Sequence, residues 1–213
     1  MNLTRVRLDI NGVERPVICN PEKDTLATVI RRMGLTGTKV GCGTGVCGAC
    51  SVILNGEVVR ACVRKMKSVA EYSVVTTIEG IGTPQNLHPL QLAWITYGGV
   101  QCGFCSPGFI VSAYALLEKN KDPSRADVRD WFRKHRNICR CTGYKPLVDA
   151  VMAAAKVMRG EASVEDITFK PPASGDYYGS ELPRPFALAK VCGLADFGDD
   201  INFRCQKERR ISQ

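Results

Sequence analysis

The sequence predicts an α+β fold in which a small mixed β-sheet precedes an all-α four-helix domain and an extended C-terminal tail. Two Asn-Gly turns between short apolar stretches indicate two β-hairpins in the first 82 residues. After Gly82, four apolar stripes with helical spacing follow separate helix-start signals. A segment rich in proline and polar residues follows, and it shows neither the strand pattern nor the helix pattern. We therefore predict domains at 1–82, 83–160 and 161–213.

The hairpins are predicted from alternation and turn chemistry. Alternate residues from Val6 to Ile10 are apolar, and Asn11 and Gly12 tolerate the positive φ angles of a two-residue turn. A second such pair at 55–56 joins the next two strands, and the segment SVVTTIEG predicts another strand.

One helix is expected between the two hairpins. Asp24 is a suitable N-cap, and Gly34 is placed to end the helix. The apolar residues with the spacing of one helical face are Leu26, Val29, Ile30 and Met33. We therefore expect two hairpins and one helix to form a small mixed sheet in the first domain.

The second domain is predicted from its helix starts. Pro89, Pro107 and Pro146 each suit the first turn of a helix, and Ser124 with Asp127 resembles a capping box. Each start precedes an apolar stripe, and the connections are short, so the helices should form a compact bundle.

Eleven cysteines in 213 residues are the unusual feature of the composition. The count is odd, and the N-terminus lacks the apolar segment of an export signal, so we expect a cytoplasmic protein whose clustered thiols bind metal. No apolar run reaches the ~18 residues of a membrane span.

The net charge of +8 is concentrated rather than spread. The stretch 119–145 holds nine Lys or Arg and three Asp, and aromatic residues make up only 7% of the chain, so we expect no nucleic-acid partner. The stretch is either a solvated helix face or a surface that docks an acidic partner.

The first cysteine group has the spacing C-x4-C-x2-C, which is the plant-type pattern for a 2Fe-2S cluster. Its members are Cys42, Cys47, Cys50 and Cys62. The same loop matches the G-x-G-x-x-G pattern of dinucleotide sites, but a strand-like segment follows where such a site needs a helix, so we exclude that function.

The second cysteine group is a C-x2-C followed by a distant C-x-C. Its members are Cys102, Cys105, Cys139 and Cys141. The gap between the pairs is too long for a zinc ribbon, and a thioredoxin-type pair would need a βαβ setting. The spacing alone predicts a metal centre and leaves the metal open.

Three segments together resemble the iron-sulfur portion of the xanthine oxidase family of molybdenum hydroxylases. They are KVGCGTGVCGACSVILNG, QCGFCSPGFI and RNICRCTGYKPLVDA, and within that family they are most similar to the flavin-lacking aldehyde oxidoreductases of sulfate-reducing bacteria. The resemblance implies a β-grasp ferredoxin domain and a four-helix domain, each with one 2Fe-2S cluster. The later segment GSELPRPFALAKVCGLADFGDD looks like the start of a molybdenum-binding domain, whereas the closing residues 201–213 depart from the family pattern.

The resemblance also implies partners. Gln101 should contact molybdopterin, and Cys141 should carry the sulfur nearest the pterin. The molybdenum and its pterin, of the cytosine dinucleotide type, would belong to a catalytic subunit that oxidises an aldehyde with water to a carboxylic acid. Electrons would leave through both clusters to an external acceptor such as ferredoxin or flavodoxin, or to a flavin subunit.

Other functions remain open from the sequence. The chain could be a stand-alone ferredoxin-like carrier, the iron-sulfur subunit of a xanthine, purine or other N-heterocycle hydroxylase, or a zinc-stabilised interaction protein. His88 and His135 lie in no metal-ligand pattern and are expected to be structural.

Overall fold

The computed structural model describes residues 2–175, 177–180 and 182–201. The strands are β1 (Thr4–Ile10), β2 (Val13–Cys19), β3 (Ser51–Leu54), β4 (Glu57–Arg60) and β5 (Val74–Thr76). The helices are α1 (Leu26–Arg32), α2 (Pro89–Thr96), α3 (Ser106–Lys119), α4 (Arg125–Lys134), α5 (Lys145–Met158) and α6 (Ala187–Val191). Among these described helices, none has both the length and the apolar character needed to cross a membrane.

The five strands form one mixed sheet in the order β2-β1-β5-β3-β4. Strands β1 and β5 are parallel, and the other neighbours are antiparallel. Both predicted hairpin turns are confirmed, because Asn11 and Asn55 have φ angles of 55° and 50° and glycines with positive φ follow them.

Strand β2 forms one edge of the sheet and carries a proline at its centre. Pro16 lies opposite Arg7 of β1, and the neighbouring Glu14 and Arg15 are exposed. A proline has no N–H to donate, so it suits an edge strand. Strand β4 forms the other edge and packs near α3.

The N-cap of helix α1 lies one residue later than predicted. The N-cap is Thr25, whose hydroxyl accepts a hydrogen bond from the Thr28 N–H at 3.2 Å. Asp24 instead accepts hydrogen bonds from the Arg32 guanidinium, at 2.6 and 3.0 Å, and from the Asn20 N–H. The Arg32 contact in particular holds the pKa of Asp24 below its usual value. The prediction of Asp24 as the cap was wrong because this carboxylate has a charged partner.

Helices α2 to α5 start where the prolines and the capping box predict. Ser124 Oγ accepts from the Asp127 N–H at 3.1 Å, and Asp127 accepts from the Ser124 N–H at 2.9 Å, which confirms the capping box. The bundle core contains Phe109, whose ring packs edge-on against Phe132 with centroids 4.9 Å apart. The strands of the first part and helices α2 to α5 of the second part confirm the predicted α+β fold.

The C-terminal tail is extended at first and then packs on the bundle. Between the short turn at Glu165–Ile167 and helix α6, the described residues form no helix or strand. Helix α6 was not predicted, and it buries Ala187, Val191 and Cys192 in the bundle core. Part of the predicted tail, including Cys205 and the closing segment from 202, lies outside the described residues.

The sheet and the bundle meet where α3 packs on β3. A Cβ added to Gly108 of α3 would lie 2.6 Å from the carbonyl oxygens of both Gly48 and Ala49. Buried Asn137 donates from Nδ2 to the Gly48 carbonyl at 3.2 Å. The loop that carries the first cysteine group therefore rests directly on the bundle.

Candidate metal centres

The first cysteine group is assembled from one loop and one strand end. The loop between α1 and β3 carries Cys42, Cys47 and Cys50, and Cys62 follows β4. Cys42 is exposed, Cys47 is half-buried, and Cys50 and Cys62 are buried. The thiols of Cys42 and Cys47 interact with each other, as do those of Cys50 and Cys62. The group thus consists of two thiol pairs.

The loop directs backbone N–H groups at the Cys42 sulfur. The N–H groups of Thr44 and Val46 donate to Sγ at 3.4 and 3.3 Å. Gly43 and Gly45 have φ angles of 67° and 75°, which few other residues adopt. Partial burial favours the neutral thiol, but the hydrogen bonds from Thr44 and the surrounding N–H groups prevail and lower the pKa of Cys42 to about 5. The loop therefore stabilises a thiolate at this position.

The inner pair of the first group is buried. The Cys62 N–H donates to Cys50 Sγ at 3.4 Å. Burial raises the pKa of Cys50 to about 12 and also raises the pKa of Cys47. Positive charge from a metal would offset the cost of ionising such thiols, since a coordinating thiol is deprotonated.

The second group also consists of two pairs, one exposed and one inner. Cys102 and Cys141 are both exposed, with their sulfur atoms 3.8 Å apart. Cys105 and Cys139 interact deeper in the fold, where burial raises the pKa of Cys105. Burial acts in the same direction on Cys139, but hydrogen bonds from Thr142 and from the Cys141 N–H, at 3.2 and 3.4 Å, lower its pKa.

This arrangement suits a two-iron unit better than a single ion. A 2Fe-2S cluster takes four thiolates, and two thiol pairs can each serve one iron. Thiols and aimed N–H donors are also the groups that iron-sulfur clusters require.

The two cysteine groups are joined by direct contacts between their loops. The Ile138 N–H, next to Cys139, donates to the carbonyl oxygen of Cys47 at 3.1 Å. A Cβ added to Gly41 would lie 3.3 Å from the ring of Phe104, which stands between Cys102 and Cys105. The two candidate centres are thus neighbours in one packed structure.

Comparisons with known proteins agree with this geometry. Residues 8–74 match the family described as 2Fe-2S iron-sulfur cluster binding domain, and residues 77–152 match the family described as 2Fe-2S binding domain. The chain is 45% identical over 148 residues to the alpha subunit of isoquinoline 1-oxidoreductase from Brevundimonas diminuta, covering 69% of this chain and 95% of that subunit. It is also 61% identical over 198 residues to the aldehyde oxidoreductase of Megalodesulfovibrio gigas. The chain belongs to the iron-sulfur part of the xanthine oxidase family.

The similarity to this family includes the fold, because a solved structure superposes closely on the chain. The crystal structure of the aldehyde oxidoreductase from Desulfovibrio desulfuricans superposes with a TM-score of 0.90 and 62% identity over 92% of this chain. The chain spans only 22% of the length of each of the two aldehyde oxidoreductases.

Gln101, His88 and His135 are the other residues that the sequence analysis considered, and each lies at a different place in the helical part. Gln101 is half-buried beside the exposed Cys102, and its carbonyl oxygen accepts from Lys190 Nζ at 3.3 Å. His88 caps α2, where Nδ1 accepts from the Leu90 N–H, and burial lowers its pKa. His135 ends α4, and its ring stands 4.4 Å from that of Trp131. Both histidines thus have structural contacts in the helical part.

Sequence reasoning missed a set of residues that lies beside both cysteine groups. Lys39 is buried next to the first loop and pairs with Asp200 at 2.7 Å. Phe197 packs edge-on against Phe104 with ring centroids 5.2 Å apart. The position of Lys39 directly before a glycine- and cysteine-rich loop was the only sequence feature that could have drawn attention to it. Its partner Asp200 lies 161 residues away, and no sequence pattern links the two.

Proposed function

We propose that the chain is the electron-transfer part of a molybdenum-dependent aldehyde oxidoreductase, and that it relays electrons from a molybdopterin centre in a catalytic partner to an external acceptor. The observation that carries the proposal is the pair of adjacent four-thiol groups, one with two exposed sulfurs. The likeness to the aldehyde oxidoreductase from Megalodesulfovibrio gigas supports the aldehyde substrate, because it extends over 198 residues at 61% identity.

The cysteines of the two groups would hold one 2Fe-2S cluster each. The proposed ligands are Cys42, Cys47, Cys50 and Cys62 for the first cluster, and Cys102, Cys105, Cys139 and Cys141 for the second. When bound, each cluster supplies a centre that accepts and releases one electron at a time. The chain's own contribution is to aim N–H groups at Cys42, Cys50 and Cys139. These donors stabilise negative charge on the sulfurs.

The exposed pair of the second group marks the surface for the catalytic partner. Cys102 and Cys141 lie on this surface, and Gln101 precedes Cys102 in the chain. We propose that Gln101 contacts the molybdopterin, which would be of the cytosine dinucleotide type, and that Cys141 provides the sulfur nearest to it. The half-buried side chain of Gln101 would then orient the pterin without taking part in the oxidation.

The external acceptor would bind where the first group reaches the surface. A groove with a volume of about 640 Å³ borders both cysteine loops at Val46 and Ile138, and Arg129, Arg133 and Arg136 line it. An acidic carrier such as a ferredoxin or flavodoxin, or a flavin subunit, would match this charge. Electron transfer to the acceptor should then slow as salt is raised, and a salt-independent rate would contradict this surface.

We also propose that the chain divides at about residues 82 and 160, and that it works in the cytoplasm. Helices α2 to α5 lie between 89 and 158, which supports the division. Ten free cysteines among the described residues fit a reducing compartment.

Purification of the chain with its natural partner under anaerobic conditions tests the function. We expect about four iron and four acid-labile sulfide per chain, a red-brown colour and molybdenum in the partner. Both clusters should be reduced by an aldehyde and not by xanthine. An iron-free chain, or reduction by xanthine alone, would overturn the proposal.

The second candidate is the iron-sulfur subunit of an N-heterocycle hydroxylase. The likeness to the isoquinoline 1-oxidoreductase subunit, of which the chain covers 95%, favours it. Reduction of the clusters by an N-heterocycle and not by an aldehyde would select this function. Purification as a monomer that exchanges electrons with a reductase would instead indicate a stand-alone carrier.

A further inference from the structure

The segment 187–201, called the tail segment below, contacts the loop of the second cysteine group. Its helix α6 is held by Gln91, whose Nε2 donates to the Val191 carbonyl at 3.1 Å. Lys190 lies along Gly103, where an added Cβ would be within 2.9 Å of three of its side-chain carbons. The Lys190 ammonium donates to the Gln101 carbonyl. The segment thus touches residues on both sides of Cys102.

The same segment is joined to the first loop by a buried ion pair. Lys39 Nζ lies 2.7 Å from Asp200 Oδ2 and donates to the Ala195 carbonyl at 2.8 Å. Arg31 contacts the other carboxylate oxygen of Asp200 at 2.9 Å. Both Lys39 and Asp200 have only 1% of their side chains exposed. A buried lysine needs such a partner, because an unpaired charge in the interior is costly.

An aromatic contact lies between the two regions where the tail segment touches the cysteine loops. Phe197 packs against Phe104 of the second loop, and the Lys39 ammonium stands 5.0 Å from the Phe197 ring centroid. Phe104 in turn lies against Gly41 of the first loop. Phe104, between Cys102 and Cys105, is therefore packed between Gly41, directly before Cys42, and Phe197 of the tail segment.

We propose that the tail segment is a positioning element that adds to the direct contacts between the loops and holds the two cysteine groups at one separation, with Asp200 as its anchor. This inference rests on the proposed function, since the separation matters only if both groups hold redox centres. Without Asp200, the Lys39 ammonium would be left buried and without its carboxylate partner. It would have to move toward water and carry the first loop and the tail segment with it. Asp200 would then influence electron transfer without touching either centre.

Electron paramagnetic resonance of the dithionite-reduced, iron-loaded full chain tests the proposal. Two reduced clusters at a fixed short separation split each other's signals, and we expect this splitting in the wild type. Asp200→Ala should weaken and broaden the splitting, because the separation is then held by fewer contacts, while retaining its iron and the g values of each cluster. Amide hydrogen exchange at 37–42 and 101–104 should become about tenfold faster.

Asp199→Ala is the matched control, since this neighbouring carboxylate is 72% exposed and should leave splitting and exchange unchanged. If Asp200→Ala does not fold, Phe197→Leu removes the aromatic contact with Phe104 without leaving a buried charge, and the same weakening of the splitting is expected. Unchanged splitting in the variants that fold would overturn the positioning role. A wild-type chain with no iron signal would instead overturn the proposed function.

Discussion

Replacing Gly108 with alanine should have two opposing effects on the free energy of unfolding. In a helix interior, alanine is favoured over glycine by about 1 kcal/mol. At this position, however, the new Cβ would lie 2.6 Å from the carbonyl oxygens of Gly48 and Ala49. Both oxygens belong to the backbone of the loop between Cys47 and Ser51, so the contact cannot be relieved by rotating a side chain.

The expected balance is a net loss of stability. Forcing an extra methyl group into a packed contact costs about 1–3 kcal/mol, and the two backbone oxygens place this site at the upper end, at about 2–3 kcal/mol. The gain in helix propensity offsets about 1 kcal/mol of it. We expect the free energy of unfolding to fall by about 1–2 kcal/mol. For a chain of this size, the melting temperature should fall by about 2–8 °C.

Thermal unfolding followed by circular dichroism under anaerobic conditions measures this change. Gly198→Ala provides the control, because an added Cβ there meets nothing within 4 Å. A Gly108→Ala variant as stable as the wild type would refute the view that α3 rests rigidly on the first cysteine loop.

Further predictions concern the ligands, the buried ion pair and a helix cap. Cys62→Ala should lower the iron content from about four to about two per chain, whereas Cys192→Ala should leave it at about four, as measured by iron analysis. Burial raises the pKa of Asp200, but hydrogen bonds from Lys39 and its other donors prevail and lower it. Its stabilising contribution is therefore complete above about pH 4, the unfolded value, and is lost as the pH falls through the lowered pKa. Asparagine has no carboxyl group to protonate, so the free energy of unfolding of Asp200→Asn should fall less than that of the wild type as the pH is lowered, as measured by acid unfolding. Ser124→Ala should cost about 1 kcal/mol in denaturant unfolding, and an unchanged midpoint would contradict the role of the cap.

Local patterns were sufficient to predict most of the fold. The two Asn-Gly turns and the helix starts at Pro89, Pro107 and Pro146 depend on backbone preferences of a few adjacent residues, so the sequence alone reveals them. The cysteine spacings divided the thiols into two groups but did not predict the pairs within a group, because Cys102 meets Cys141 and Cys105 meets Cys139 from distant parts of the chain.

The features that were missed depend on distant residues. Asp24 has the chemistry of a cap, but its carboxylate pairs with Arg32 instead. Helix α6 has five residues, too few to show a helical period, and it forms where the bundle offers an apolar surface. The Lys39–Asp200 pair joins residues 161 apart and leaves no periodic signal. Tertiary contacts decide these positions.

Pro16 in the outer strand β2 has a consequence for how the protein behaves at high concentration. A sheet edge with free N–H and C=O groups can recruit a strand from another molecule, which leads to aggregation. Here the edge lacks one N–H and exposes Glu14 and Arg15 beside the gap. Intermolecular strand addition at this edge is therefore disfavoured, and Pro16→Thr should make concentrated samples more prone to aggregate.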